Sequence, residues 1–314
     1  MRLWTVLLLY LVWVFVGAGA LAPALWWLAH GLADWTGANW ASALADHPFH
    51  RYVSRCVQVL ALVGMVPFAR ALGCRGAADL GWHREPHWFQ HLGVAGGLGL
   101  ASFLAALALE LGLGWREWRL DLGLGLVLRR ALGGVVAGVA VALAEETLFR
   151  GLLLGALRRV TGDPIALAIS TLIYAAVHFL ERSSTPAVVE MGSGWVAVGQ
   201  MFAGFGAADR LVPRFFTLLT AGAAMGWWFW RTGGLHGAVA LHATWVLGIK
   251  LRGGLTRAGE GEWHSRGSDW VALASALVVL ALTIWVLRHR GAGRQGEGRT
   301  REESGAESNQ RTVT

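Results

Sequence analysis

Apolar runs close to the length needed to cross a bilayer, about 20 residues, recur along the chain, separated by short polar segments rich in arginine and tryptophan. The pattern predicts spans over Leu3–Leu28, Tyr52–Leu72, Phe89–Gly114, Ala131–Leu157, Asp163–Leu180, Phe215–Trp230, Leu235–Ile249 and Asp269–Leu287. The run Trp195–Ala208 is too short for a span and predicts a re-entrant or interfacial segment. The connections 29–51 and 181–194 read as loops, and Trp115–Arg119 reads as an interfacial turn, because tryptophan and arginine settle at headgroup level. Gly162-Asp163-Pro164 reads as a turn opening the next helix, since proline fits the first helical turn.

These elements imply an all-α fold: a polytopic transmembrane helical bundle of about eight spans. Residues 1–124 hold the first three, 125–250 form a core, 251–288 add a loop and the last helix, and 289–314 form a polar tail expected to be disordered. The first run, with Arg2 ahead of it and Ala18-Gly19-Ala20 inside it, imitates a signal peptide. It is longer than a signal core and is expected to remain as a span that also targets the protein.

Composition agrees: the chain of 314 residues is 55% hydrophobic and 15% charged, with 18 tryptophans and a mean hydropathy of +0.48. The net charge of +7 rests almost wholly on arginine, Lys250 being the single lysine. In a membrane protein such loop arginines meet lipid headgroups, so the expected partner is the lipid bilayer and no nucleic acid. Cys56 and Cys74 lie at opposite ends of one apolar segment, too far apart to bridge. His83, His87 and His91 repeat at helical spacing, but Pro86 interrupts any helix across them, so no metal is read there. Gly291-Ala-Gly293-Arg-Gln-Gly296 copies a dinucleotide fingerprint without the strand that such a site requires.

One stretch breaks the apolar pattern at depth: Ala142-Leu-Ala-Glu-Glu-Thr-Leu-Phe-Arg-Gly151. An ionisable side chain at the bilayer centre costs at least about 2.5–3.5 kcal/mol, so it marks a site with partners. Glu146 and Arg150, four apart, share a helix face and pair in the favourable order. Glu145 is rotated about 100° away. An acid desolvated without a counter-charge is the one suited to take up and return a proton. Helical rise places Glu145 about 18 Å, His178 about 22 Å and His242 about 12 Å from the same boundary, so the three are able to converge in depth. Ser170, Thr171 and Tyr174 give the His178 helix a polar face. His236 lies off the His242 face and reads as a packing residue.

Taken in order, Glu145-Glu146-x-x-x-Arg150, Tyr174-x-x-x-His178 and His242-Ala-Thr-Trp245-Val246 resemble the motif set of the CPBP family of intramembrane glutamic proteases, which includes the Rce-type CAAX prenyl proteases. The resemblance covers residues 127–250. It implies a multi-pass membrane endopeptidase, in a bacterial inner or plasma membrane, acting on a membrane-associated protein or peptide, for which a prenylated CAAX tail, a peptide precursor such as a bacteriocin leader and a C-terminal sorting signal all stay open. It also implies that Glu145 and His178 activate a water, that His242 and an asparagine four residues on stabilise the oxyanion, that Glu146 and Arg150 organise the site, and that no cofactor or metal is needed. Two positions depart from the family pattern. Tyr174 replaces a phenylalanine, and Val246 stands where the asparagine is expected, leaving the Thr244 hydroxyl or the Trp245 indole as substitute donors. Alternatives are a catalytically weak CPBP-fold binding or immunity protein, a proton-coupled transporter using the same buried Glu, Arg and His, and a zinc protease, which would lack a chelating pair on one helix.

Overall fold

In the computed structural model, which describes residues 3–85, 87–206, 208–259 and 267–289, nearly every element is a helix. The helices are α1 (Leu3–Thr36), α2 (Asn39–Ala45), α3 (Phe49–Ala71), α4 (Trp88–Gly112), α5 (Leu124–Glu146), α6 (Gly155–Thr161), α7 (Asp163–Val177), α8 (Ser193–Met201), α9 (Ala208–Thr232), α10 (His236–Leu255) and α11 (Gly267–His289). A π-helical segment, Thr147–Leu154, follows α5 and leads into α6, so that Leu124–Thr161 is helical without a break in the chain. Among the described residues, five helices are long and apolar enough to cross a membrane: α1, α3, α4, the α5–α6 stretch and α11. Large apolar side chains such as Leu8, Val63, Leu104, Leu132 and Trp285 stand exposed along them. Apolar surface of that extent is stable only against lipid, and the fold is a polytopic helical bundle.

Several sequence expectations shift. The segment 29–51 is not a loop: α1 continues to Thr36, and the short α2 follows. Trp115–Arg119 is not a turn. Arg116–Trp118 form β1, paired antiparallel with β2 (Thr256–Ala258) in the register Arg116 to Ala258 and Trp118 to Thr256. A partner 140 residues away leaves no local signal, so the stretch taken by itself resembles an interfacial bend. Trp195–Ala208 divides into α8 and a 3-10 turn (Phe202–Gly206), with α8 laid along α1, and α9 starts before Pro213 rather than after it. The glycine pattern in 291–296, Pro86 and most of the charged loop after β2 lie outside the described residues.

The chain divides into two compact units. The first comprises residues up to His83 together with Leu143–Leu219. In it α1 pairs with α3 around Ala18, Ala22, Phe49, Val53 and Cys56, and α8 adds Ala197, Val198 and Met201 to the same core. A second cluster, Val6, Phe68, Ala69, Cys74 and Leu152, seats the π-helical segment on this pair.

The second unit comprises Arg84–Ala142 and the chain from Thr220. Its centre is the α4–α10 pair. Gly99 permits the close approach, since a Cβ there would collide with the Thr244 hydroxyl and press on the Leu241 carbonyl. At one end the buried Glu110 accepts two hydrogen bonds from Arg252, Nε at 2.6 Å and Nη2 at 2.9 Å. This bidentate, charge-assisted geometry is the strong form of an ion pair. Removing the cation leaves a buried carboxylate uncompensated, so Arg252→Ala is expected to lower the unfolding free energy by about 3–5 kcal/mol. Glu110→Gln combined with Arg252→Gln should recover part of that loss in detergent thermal-shift measurements.

Candidate active site

The helix that carries the acidic motif changes its winding where the motif begins. Glu145 and Glu146 are the last residues of α5, and the next eight residues are π-helical. A π segment shifts the register of side chains and carbonyls and is frequent at functional sites. Here the surrounding groups are fitted to it. The Ser170 hydroxyl on α7 donates to the Phe149 carbonyl at 3.0 Å. The Thr147 hydroxyl donates to the Leu143 carbonyl at 2.6 Å and accepts from the Trp82 indole at 2.9 Å. The 3-10 turn Ala77–Leu80 lies against Gly151, where a Cβ would stand 2.5 Å from the Leu80 carbonyl oxygen.

The two acids face different surroundings. Glu146 is fully buried and accepts from Arg150 Nη1 at 2.9 Å, with Arg150 only 1% exposed. The Arg150 guanidinium also lies 4.2 Å from the centre of the Tyr174 ring, a cation–π contact. Tyr174 packs edge-on against Phe149 and 4.5 Å from the His178 ring. The aromatic ring at this position is therefore a platform for two of the candidate residues.

Glu145 is part-exposed, its side chain at 31%, and its Oε2 lies 3.6 Å from His178 Nε2. His178 is not inside the helix, as the apolar run to Leu180 predicted. It caps the C-terminus of α7, with φ −75° and ψ −11°. Its Nδ1 lies 2.7 Å from the Tyr174 carbonyl oxygen. A carbonyl only accepts, so Nδ1 carries the proton and Nε2 is the nitrogen turned towards Glu145. An anchored Nδ1–H fixes both tautomer and ring orientation.

His242 is buried on α10 in the second unit. The two substitute donors beside it are already engaged. The single Thr244 hydroxyl proton is shared between the Ala240 and Leu241 carbonyls of its own helix, each at 2.9 Å, and the Trp245 indole donates to the Ser102 hydroxyl of α4 at 3.0 Å. His236 is more than a packing residue, since it binds Glu85 at 2.9 Å. His91 is buried, whereas His83 and His87 are exposed, so the three do not converge. Among the described residues no group of three or more His, Cys, Asp or Glu is disposed to hold a metal ion.

The supports of the π segment, Trp82, Ser170 and the 77–80 turn, carry no motif that marks them as parts of the site. Their role depends on a neighbour far along the chain. Ser170 stands out as a polar position on an apolar helix, but its acceptor does not.

The buttress outside the helices can be probed at two positions. Gly151→Val should displace the Leu80 backbone and cost about 1–3 kcal/mol by overpacking, read as a fall in thermal-unfolding midpoint. Asp79 accepts from the backbone N–H of Arg75 at 2.6 Å and of Gly76 at 3.1 Å, which holds its carboxyl below the usual range. Those contacts favour the anion in the folded state only, so their contribution is complete above about pH 3.9 and disappears as pH falls through the lowered value. The midpoint difference between wild type and Asp79→Asn should accordingly be present at neutral pH and close in acid.

Residues 127–248 match the sequence model of a family described as Type II CAAX prenyl endopeptidase Rce1-like, in agreement with the motif set. The matched segment, well under half of the chain, contains all three motifs. Comparison with curated proteins and with solved structures gives no match.

Proposed function

We propose that this chain, whose residues 127–248 match the Rce1-like family, is a metal-independent glutamic endopeptidase of the membrane. It hydrolyses a peptide bond of a membrane-associated substrate near the bilayer surface. The observation that carries the reading is the division of labour between adjacent acids. Glu146 is neutralised by Arg150 at 2.9 Å, while Glu145 meets the Nε2 of an anchored histidine at 3.6 Å.

Glu145 is the general base that takes a proton from the attacking water, and His178, held by the Tyr174 carbonyl, helps to orient that water. The water oxygen bonds to the scissile carbonyl carbon, and the carbonyl electrons move to its oxygen. The resemblance assigns stabilisation of that oxyanion to His242. Collapse breaks the C–N bond, and the proton held on Glu145 passes to the leaving amine. Glu146 and Arg150 hold the π-helical segment and, through Tyr174, the ring of His178. The CAAX description of the family suggests a prenylated C-terminal peptide as the first substrate to test.

A second reading, a CPBP-fold binding or immunity protein with little turnover, is favoured by Val246 together with the committed Thr244 and Trp245 donors. Loss of one oxyanion donor typically costs about 100 to 1,000-fold.

Purified protein in proteoliposomes, given a farnesylated CAAX peptide and its unprenylated counterpart, should cleave the first and be insensitive to chelator. Glu145→Gln should lose cleavage by roughly three orders of magnitude. Survival of cleavage in that variant would refute the base assignment, and loss of wild-type cleavage on chelation would replace it with a metal mechanism. Val246→Asn is expected to keep or raise kcat, by up to about 100-fold. A large loss there would sink the oxyanion assignment.

A further inference from the structure

Outside the matched segment, the second unit holds a buried acid that the motif set does not account for. Glu85, 4% exposed, sits just before α4 and receives two histidines. His236 Nδ1, on the first residue of α10, lies 2.9 Å from Oε2, and His91 Nδ1, on the first turn of α4, lies 3.4 Å from Oε1. Since a carboxylate only accepts, both ring nitrogens act as donors. The carboxylate is pressed against Gly234, where any Cβ would collide with it. Trp88 packs on His236 at 5.0 Å, and Trp228 meets the edge of His91 at 6.1 Å. The cluster therefore joins the loop before α4, α4 itself, the turn before α10 and α10.

We propose that Glu85 is a positioning residue for His242: by holding His236 and His91 it sets the register of α10 against α4, and with it the height and rotation at which His242 is presented. This rests on the role given to His242 above.

Helix α10 meets α4 mainly through small residues on the N-terminal side, with the Phe103 ring seated on Gly248 towards the far end. Gly96 faces Ala240 and Thr244, and Gly99 faces Leu241 and Thr244. The small-residue surfaces on the N-terminal side allow close approach, but they offer few ridges to resist sliding. Polar contacts then add to the register. Glu110 with Arg252 does so near the far end, and Ser102 with Trp245 just beyond His242. Among the described residues, Glu85 supplies the contact on the N-terminal side. His242 follows His236 by six residues, about 9 Å along the axis, with no proline between them to absorb a displacement. A 1 Å misplacement of a reacting group costs about 100-fold, so small slippage suffices to impair turnover.

The proposal is tested by a double-mutant cycle and a distance measurement. On the farnesylated CAAX peptide, Glu85→Leu should lower kcat at least 10-fold with KM little changed. Glu85→Gln, which keeps hydrogen bonding without the charge, should recover to within about threefold of wild type. In a His242→Ala background, Glu85→Leu should cost nothing further. A purely structural role would instead give equal losses in both backgrounds, and equal losses, or a Gln variant as poor as Leu, would overturn the proposal. Independently of any substrate, spin labels at the exposed positions Leu104 and Ile249 should report a broadened α4–α10 distance distribution in Glu85→Leu. An unchanged distribution would overturn the proposal as well. Full activity in His242→Ala would instead refute the assigned role of His242, while the spin-label distance still reports whether Glu85 sets the register.

Discussion

A carboxylate that leaves water for an apolar interior must bring its compensation with it, and the fold is built around three that do. Glu146 pairs with Arg150, Glu110 with Arg252, and Glu85 with His236 and His91. Desolvation offsets much of the Coulomb attraction in such pairs, so their net contribution to stability is modest. Breaking one is a different matter, because the remaining charge stays buried and unmet. The consequence is specificity: Glu110 and Glu85 each hold α4 and α10 in one arrangement, and Glu146 fixes Arg150 on its own helix, where the guanidinium meets the Tyr174 ring of α7.

The Glu146–Arg150 pair shows how that constraint reaches the candidate site. It lies at the junction of α5 with the π-helical segment, and its guanidinium rests on the Tyr174 ring. That ring touches His178, whose other side is held by the Tyr174 carbonyl. One buried ion pair thus fixes α7 relative to the motif helix and leaves Glu145, the neighbouring acid, facing the ring nitrogen of His178. The wide π turn is held from outside by Trp82, by Ser170 and by the 77–80 turn at Gly151. The departure from α-helical winding is a supported feature rather than a defect.

Much of this arrangement is legible in the order of residues. Helical rotation alone separates Glu145 from Glu146, and spacing alone pairs Glu146 with Arg150, because both are properties of a single helix. Other features are not legible for one reason: they depend on partners remote in the chain. The strand Arg116–Trp118 finds its mate 140 residues later. Glu85 reads as one charge in a polar loop until His236, 151 residues away, turns a ring nitrogen to it. Trp245 reads as a spare donor until Ser102 takes its N–H.

Residue order alone suffices to make the chain a polytopic helical membrane protein, to mark Ala142–Gly151 as the stretch where ionisable side chains break the apolar pattern, and to tell which of two adjacent acids pairs with Arg150. Hydropathy and helical periodicity are local, and lipid enforces them residue by residue. Where α7 ends, so that His178 caps a helix instead of lying within it, is not readable from the apolar run to Leu180. The passage of the motif helix into a π segment and the closure of α4 against α10 at both ends by buried acids rest on tertiary contacts. Each of these depends on which side chain meets which backbone across the fold, and no short stretch of chain encodes that meeting.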